Sequence, residues 1–264
     1  MKKILLSFVA LAFVASACNK APAVVTLTLG HVPATVEGNV VSLPVSVTGI
    51  KIVKPDGDTS GKTGHYHVFI DKRPTKRGQT IPKIPGIVHS EVSPIMIYGL
   101  TPGSHVFHVV LGNGAHVRID QKVHAMVTVN VLGPAVQGSA PATLTKGQDL
   151  VVNLQAEGVK IVDPGTETSD TEGHFHILVD PATPPKAGEM IADSAMQASP
   201  APSAMSSASA SPSAMTSSSY MTGASSQTIT GLSAGTHVIW VVLADKDHRA
   251  WKFPVMDKLM VTFA

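Results

Sequence analysis

Cysteine, aromatic residues and charge are all scarce in this 264-residue chain. Cys18 is the only thiol, so no intramolecular disulfide can form and stability has to come from packing. Lys plus Arg number 20 against 18 Asp plus Glu, a formal charge of +2. No long basic run stands ready to meet phosphates, which removes nucleic acid from the expected partners. Aromatics make up only 5% of the residues, while Val, Thr, Gly and Pro are plentiful, and this balance favours short strands and turns over long helices. Phosphate-loop and dinucleotide patterns are missing, so no catalytic constellation emerges. The N-terminal apolar run is too short to span a bilayer comfortably, and no other segment could span one.

That N-terminal segment reads as an address. "MKK" supplies positive charge, "ILLSFVALAFVA" a short apolar run, and "ASAC" small residues ending at Cys18. The pattern resembles a bacterial lipoprotein signal peptide over residues 1–17, with Ala15 where that family most often has Leu. The resemblance implies lipidation of Cys18 and attachment to the membrane by acyl chains, several of which anchor stably where one is marginal. Asn19, rather than Asp, after the Cys implies an outer-membrane or surface destination over the inner membrane. An ordinary secretory signal with a chance cysteine is the alternative.

The chain repeats itself. "GHYHVFID" from Gly64 returns as "GHFHILVD" from Gly173, an offset of 109 residues that also relates Gly38, Gly49, Lys51, Val53 and Pro55 to Gly147, Gly158, Lys160, Val162 and Pro164. "GLTPGSHVFHVVLGNGAH" from Gly99 then meets "GLSAGTHVIWVVLADKDH" from Gly231 at an offset of 132, so the second copy has gained 23 residues in between. The gain falls in a Ser/Ala/Pro/Met-rich tract at about 190–226, expected to be a flexible insertion. Repeat one is expected over 22–132, a linker over 133–144 and repeat two over 145–264.

Alternation in "VVSLPVSVTG", "HYHVFID", "HVFHVVLG" and "HAMVTVNV" predicts strands, with "GLTPG" as a turn. A Leu, a tight turn and a ring residue opening a strand is similar to the E to F corner of immunoglobulin-like sandwiches. The predicted fold is therefore all-β, two tandem immunoglobulin-like (Greek-key) β-sandwich domains. In such a domain the strands from His65, His105 and His124 are C, F and G.

This arrangement decides which histidines can meet. Residues i and i+2 of a strand share a face, so His65 and His67 can offer imidazoles to one ion. Strands C and F run antiparallel, which puts the start of C beside the F to G loop and hence beside His116. The second copy supplies His174, His176 and His248. Three neutral imidazoles suit Zn²⁺ or Cu²⁺, leaving an open position for water or a carboxylate such as Asp245 or Asp247. Domain one carries Asn113 and Ala115 at those two positions. In the competing reading all these histidines are structural hydrogen-bonders. That role is expected for His105 and His237, with Asp71 and Asp180 ending the strands and holding turns.

The order Gly-His-x-His-x-x-x-Asp, Gly-Leu-x-x-Gly-x-His and then "FPVMDK" from Phe253 resembles an uncharacterised family of bacterial cell-envelope domains, domain of unknown function 4399. The first motif of that family is usually three consecutive histidines; Tyr66 and Phe175 take the middle place here. The resemblance implies a fold and an envelope location rather than an activity. "GHFHI" is also similar to the copper signature of copper-zinc superoxide dismutases. The disulfide usual in that family is excluded here, and its bridging histidine and zinc-binding aspartate have no match. Met196, Met205 and Met215 recur in "SAM" units, and thioether sulfur is a soft ligand for Cu(I), although such a tract can serve solubility alone.

The sequence thus points to a lipid-anchored envelope binding protein, its partners the membrane and a transition metal, Cu or Zn. The rival is a structural or adhesive protein that recognises a wall polymer or a partner protein. An exposed Trp251 would favour that rival.

Overall fold

Strands account for all the regular structure in the computed structural model, which describes residues 24–120, 122–191 and 218–264. The N-terminal segment with Cys18 and most of the Ser/Ala/Pro/Met tract lie outside the described residues. Among the described residues no helix is long and apolar enough to cross a membrane.

The first repeat contains β1 (Thr26–Leu29), β2 (Thr35–Val36), β3 (Val41–Leu43), β4 (Val45–Thr48), β5 (Lys51–Ile52), β6 (Thr63–Ile70), β7 (Ile87–Ser90), β8 (Ile95–Ile97), β9 (Gly103–Asn113) and β10 (His124–Val131). One layer is a six-stranded sheet in the order β2-β10-β9-β6-β5, with β7 also paired to β6; the pairs β1-β4 and β3-β8 form the other layer. The second repeat contains β11 (Ala135–Ser139), β12 (Thr143–Leu144), β13 (Leu150–Glu157), β14 (Lys160–Ile161), β15 (Glu172–Val179), β16 (Ser218–Thr222), β17 (Ser226–Ile229), β18 (Gly235–Ala244) and β19 (Met256–Phe263). Its six-stranded sheet runs β12-β19-β18-β15-β14 with β16 on β15, and it faces a three-stranded sheet β11-β13-β17. Both repeats are immunoglobulin-like β-sandwiches, and the strands from His65, His105 and His124 lie side by side as C, F and G.

One residue accounts for a difference in strand count between the copies. The single strand β13 corresponds to two short strands, β3 and β4, which are separated by Pro44 where the second copy has Asn153. Proline has no N–H to give to a ladder, so the strand breaks there. Alternate side chains fill each core: Phe107, Val109 and Leu111 from β9, and Ile239, Val241 and Leu243 from β18, are fully buried. Burial of each such side chain contributes about 1.5–3 kcal/mol.

Two expected boundaries are corrected. Residues 133–144 do not form a linker: β11 pairs with β13 as the first strand of the second sandwich, and β12 runs parallel to the last strand, as β2 does in the first copy. The signal for a linker was Gly, Pro and Ala, but alternation in "AVQGS" matches the "TLTL" of β1. The insertion ends sooner than 226, because Ser218–Thr222 and Ser226–Ile229 are strands.

The repeats are joined by a polar and aromatic contact. Asn39 is fully buried; its Nδ2 donates to the Val136 carbonyl at 2.8 Å and its Oδ1 accepts from the Met256 N–H at 2.8 Å. Tyr98 meets Trp240 edge to face at 4.8 Å, a favourable geometry for aromatic pairs.

Candidate metal sites

Tyr66 and Val68 belong to the first core, so alternation along β6 sends His65 and His67 to the opposite face of the sheet. Phe175 and Ile177 do the same for His174 and His176 on β15. The middle residue of the motif is therefore a core residue, and this is why an aromatic ring serves there. Although they leave the core, these four histidines are at most 1% exposed. The glycine before each pair is required by close packing: a Cβ on Gly64 would lie 2.4 Å from the Gly112 carbonyl oxygen, and one on Gly173 2.5 Å from that of Ala244.

The F to G turn delivers the third histidine. His116 and His248 adopt left-handed backbone conformations, φ 61° and 55°, a region non-glycine residues seldom occupy. The Oδ1 of Asn113 accepts from the Ala115 and Val117 N–H groups, and Asp245 Oδ1 accepts from those of Asp247 and Arg249. The expectation of Asp245 or Asp247 as an added ligand is thus corrected: Asp245 holds the turn, and Asp247 pairs with Lys246 at 2.8 Å.

In the first repeat His65, His67 and His116 converge and a fourth histidine joins them. His89 on β7 lies opposite His67 in the ladder, with ring centroids 4.5 Å apart. One ligand atom from each of the four lies within 4.8 Å of the others. Both ring nitrogens of His65, His67 and His89, and Nε2 of His116, are buried without a hydrogen-bond partner of normal geometry. Sequence reasoning passed over His89 because it weighed histidines that recur between the copies, and Met221 occupies the corresponding place. The alternating "IVHS" segment before a turn was the available signal.

The second repeat gathers His174, His176 and His248. His174 Nε2 lies 3.0 Å from His176 Nε2, and His248 Nδ1 lies 3.4 Å from the same atom. Nitrogens placed about 2.0–2.1 Å from a tetrahedral ion stand roughly 3.3 Å apart, so the spacing fits a common metal. His174 turns its Nδ1 toward Glu167, whose side chain is 1% exposed. A carboxylate behind a ligating imidazole fixes its tautomer and aims the other nitrogen at the metal. The corresponding Asp58 instead accepts hydrogen bonds from Ser60 and Thr63.

The electrostatics favour neutral rings. Burial, followed by the charges its neighbours His116 and His89 would carry, pushes His65 down to about 4. Burial and the three surrounding imidazoles push His67 down to about 2. Burial, with His174 and His248 beside it, takes His176 down to about 3. His89 and His116 are lowered, chiefly by burial. His174 is also lowered by burial, against the pull of Glu167. The carboxyl of Glu167 is opposed by its own burial, yet its hydrogen bonds from backbone N–H groups and His174 hold it below the ordinary range. A neutral imidazole donating to a carboxylate satisfies both directions. At neutral pH His65, His67, His89, His116, His174 and His176 can therefore present a lone pair without first losing a proton.

His105 and His237 sit apart from these groups at the corners. His105 Nδ1 donates to Asp71 Oδ2 at 2.7 Å and His237 Nδ1 to Asp180 Oδ2 at 2.6 Å. The same carboxylates accept from the Val106 and Val238 N–H groups, so these two histidines and two aspartates brace the corner. Trp251 is buried in the second core, which removes it as a surface for sugar or partner contact.

Residues 43–132 match a family model described as a domain of unknown function (DUF4399). Among solved structures, the chain is similar to the tetra-tandem repeat in the extending region of a large adhesion protein, with 11% identity over 90% of this chain and 48% of that one and a TM-score of 0.25. It is also similar to a protein described as membrane anchored from Corynebacterium diphtheriae, with 12% identity over 91% of this chain and 53% of that one and a TM-score of 0.29. The chain spans about half the length of these structures. Comparison with curated proteins finds no match.

Proposed function

We propose that the chain is a cell-envelope protein that binds transition-metal ions, one in each β-sandwich, and is held to a membrane by lipid on Cys18. The observation that carries the metal reading is the convergence of His65, His67, His89 and His116, and of His174, His176 and His248, with ligand atoms within 4.8 Å in each group. A fully buried imidazole without a partner costs about 1–3 kcal/mol per orphaned group. Coordination of an ion uses the lone pairs that the protein itself leaves idle. Four nitrogens suit tetrahedral Zn²⁺ or a tetragonal Cu²⁺, and His89 and His116 are the partly exposed residues of the first site. The envelope location is supported by the charged, apolar and small-residue order that ends at Cys18.

The test is calorimetric titration of the untagged chain from Asn19 onward with Zn²⁺ and with Cu²⁺. Binding at two sites is expected, with His65→Ala/His67→Ala and His174→Ala/His176→Ala each removing one. Absence of binding by the folded wild type would leave these histidines a structural role.

A further inference from the structure

We propose that Met221 is the fourth ligand of the second site, so that this site is made for a soft monovalent ion, Cu(I), while the all-imidazole site holds a divalent one. The inference rests on the metal-binding reading above and adds to it a difference between the two repeats.

The ladder supplies the first argument. His67 faces His89 across β6 and β7, and His176 faces Met221 across β15 and β16, at the same step of the same strand pair. Directly opposed residues in an antiparallel pair carry their Cβ atoms on one face, about 4.5–5.5 Å apart. Met221 therefore shares its face with His176, and by the i to i+2 rule with His174. In the first repeat a side chain at this place reaches the cluster, since the His89 ring lies 4.5 Å from that of His67 and 5.1 Å from that of His116. Met221 is partly buried, and three rotatable bonds let its thioether adapt to a ligand cluster.

The second argument is room. A Cβ on Gly112 would lie 2.4 Å from His67 Cε1, so the four-imidazole site needs a glycine behind it. The matching residue in the second repeat is Ala244, fully buried. There His176 directs Nε2 toward both His174 and His248, and the fourth place falls to a slender, unbranched side chain.

Charge gives the third. Glu167 places a single buried carboxylate behind His174, so a monovalent ion at the three imidazoles has one counter-charge beside it. An uncompensated buried charge is costly, which favours a monovalent ion. A thioether with three imidazoles is a softer donor set than four imidazoles, which raises the affinity for Cu(I) while three nitrogens still serve Zn²⁺.

The experiment is anaerobic Cu(I) competition against bicinchoninate, with copper-edge X-ray absorption on the loaded chain from Asn19 onward. Met190, Met196, Met205 and Met215 are replaced by Leu throughout, so that no other sulfur of the tract can contribute. We expect a sulfur scatterer in this parent, its loss in Met221→Leu, and a Cu(I) affinity lower by about tenfold or more, as when a supporting metal-site residue is removed. Zn²⁺ binding at the first site should stay unchanged. Met221→His should restore a four-nitrogen shell and raise Zn²⁺ affinity at the second site, which shows that the position is a ligand whether or not Met221→Leu perturbs packing. Ions bound at both sites with only nitrogen scatterers, and Cu(I) affinity unchanged in Met221→Leu, would overturn the proposal and leave the metal-binding reading standing. No ion at either site would overturn both.

Discussion

His176 and Met221 stand directly opposite each other on β15 and β16, as His67 and His89 do on β6 and β7. One substitution at a single ladder position thus separates a four-imidazole cluster from a three-imidazole one. The two sites are therefore related but distinct devices.

Gly112→Ala should damage the first site and spare the second. The added methyl meets the end of the His67 ring, not backbone, so the fold can yield by turning that ring away. Turning it displaces a ligand. Zn²⁺ titration should show the first site weakened by about tenfold or more, comparable to losing a group that orients a ligand, with the second site intact. An unchanged titration would mean that His67 takes no part.

Glu167→Gln should act only on the second site. It keeps the size of the side chain but replaces a charged acceptor for the His174 Nδ1–H with a neutral one. Metal affinity there should fall about 10- to 100-fold. The measurement is titration of the variant, and Asp58→Asn is the control with no expected effect, because Asp58 serves a local turn.

Acid should destabilise the metal-free protein. His65, His67 and His176 have folded pKa values below their ordinary 6.5, so as pH falls through 6.5 the unfolded chain binds protons that the folded chain refuses. Each such ring costs about 1.4 kcal/mol per pH unit until its own folded value is reached. His237 has the opposite sign: burial opposes its charge, but Asp180 and the Ser233 carbonyl raise it, so its contribution is present below 6.5 and lost as pH rises through its folded value. Several lowered rings against one raised ring give a net loss of stability from pH 6.5 toward 4. Denaturant unfolding of metal-free protein across that range should show it, and saturating Zn²⁺ should shift the loss to lower pH.

How much of this was legible beforehand depends on which symmetry carried the information. The sandwich fold, the neighbouring C, F and G strands and the meeting of His65, His67 and His116 follow from alternation and from the recurrence of motifs 109 and 132 residues apart. His89, Met221 and Glu167 were not found, because they differ between the copies or lie outside the shared motifs. Their role depends on strand register and burial, which a linear pattern does not carry. The supposed linker at 133–144 misled for a different reason: Gly133 and Pro134 are turn residues, but the strand after them completes the next sheet.

Asn39→Ala should weaken the union of the two repeats. It leaves the Val136 carbonyl and the Met256 N–H without partners in a buried contact, at about 1–3 kcal/mol for each unsatisfied group. Calorimetry should show a lower unfolding temperature or two separated transitions, with metal stoichiometry unchanged.

The most direct test of the central claim is native mass spectrometry of the mature chain after loading with Zn²⁺ and removal of excess ion. The account predicts two bound ions in the wild type, one in His65→Ala/His67→Ala, one in His174→Ala/His176→Ala and none when the four substitutions are combined. A folded wild type that retains no ion, or a combined variant that retains both, would contradict it.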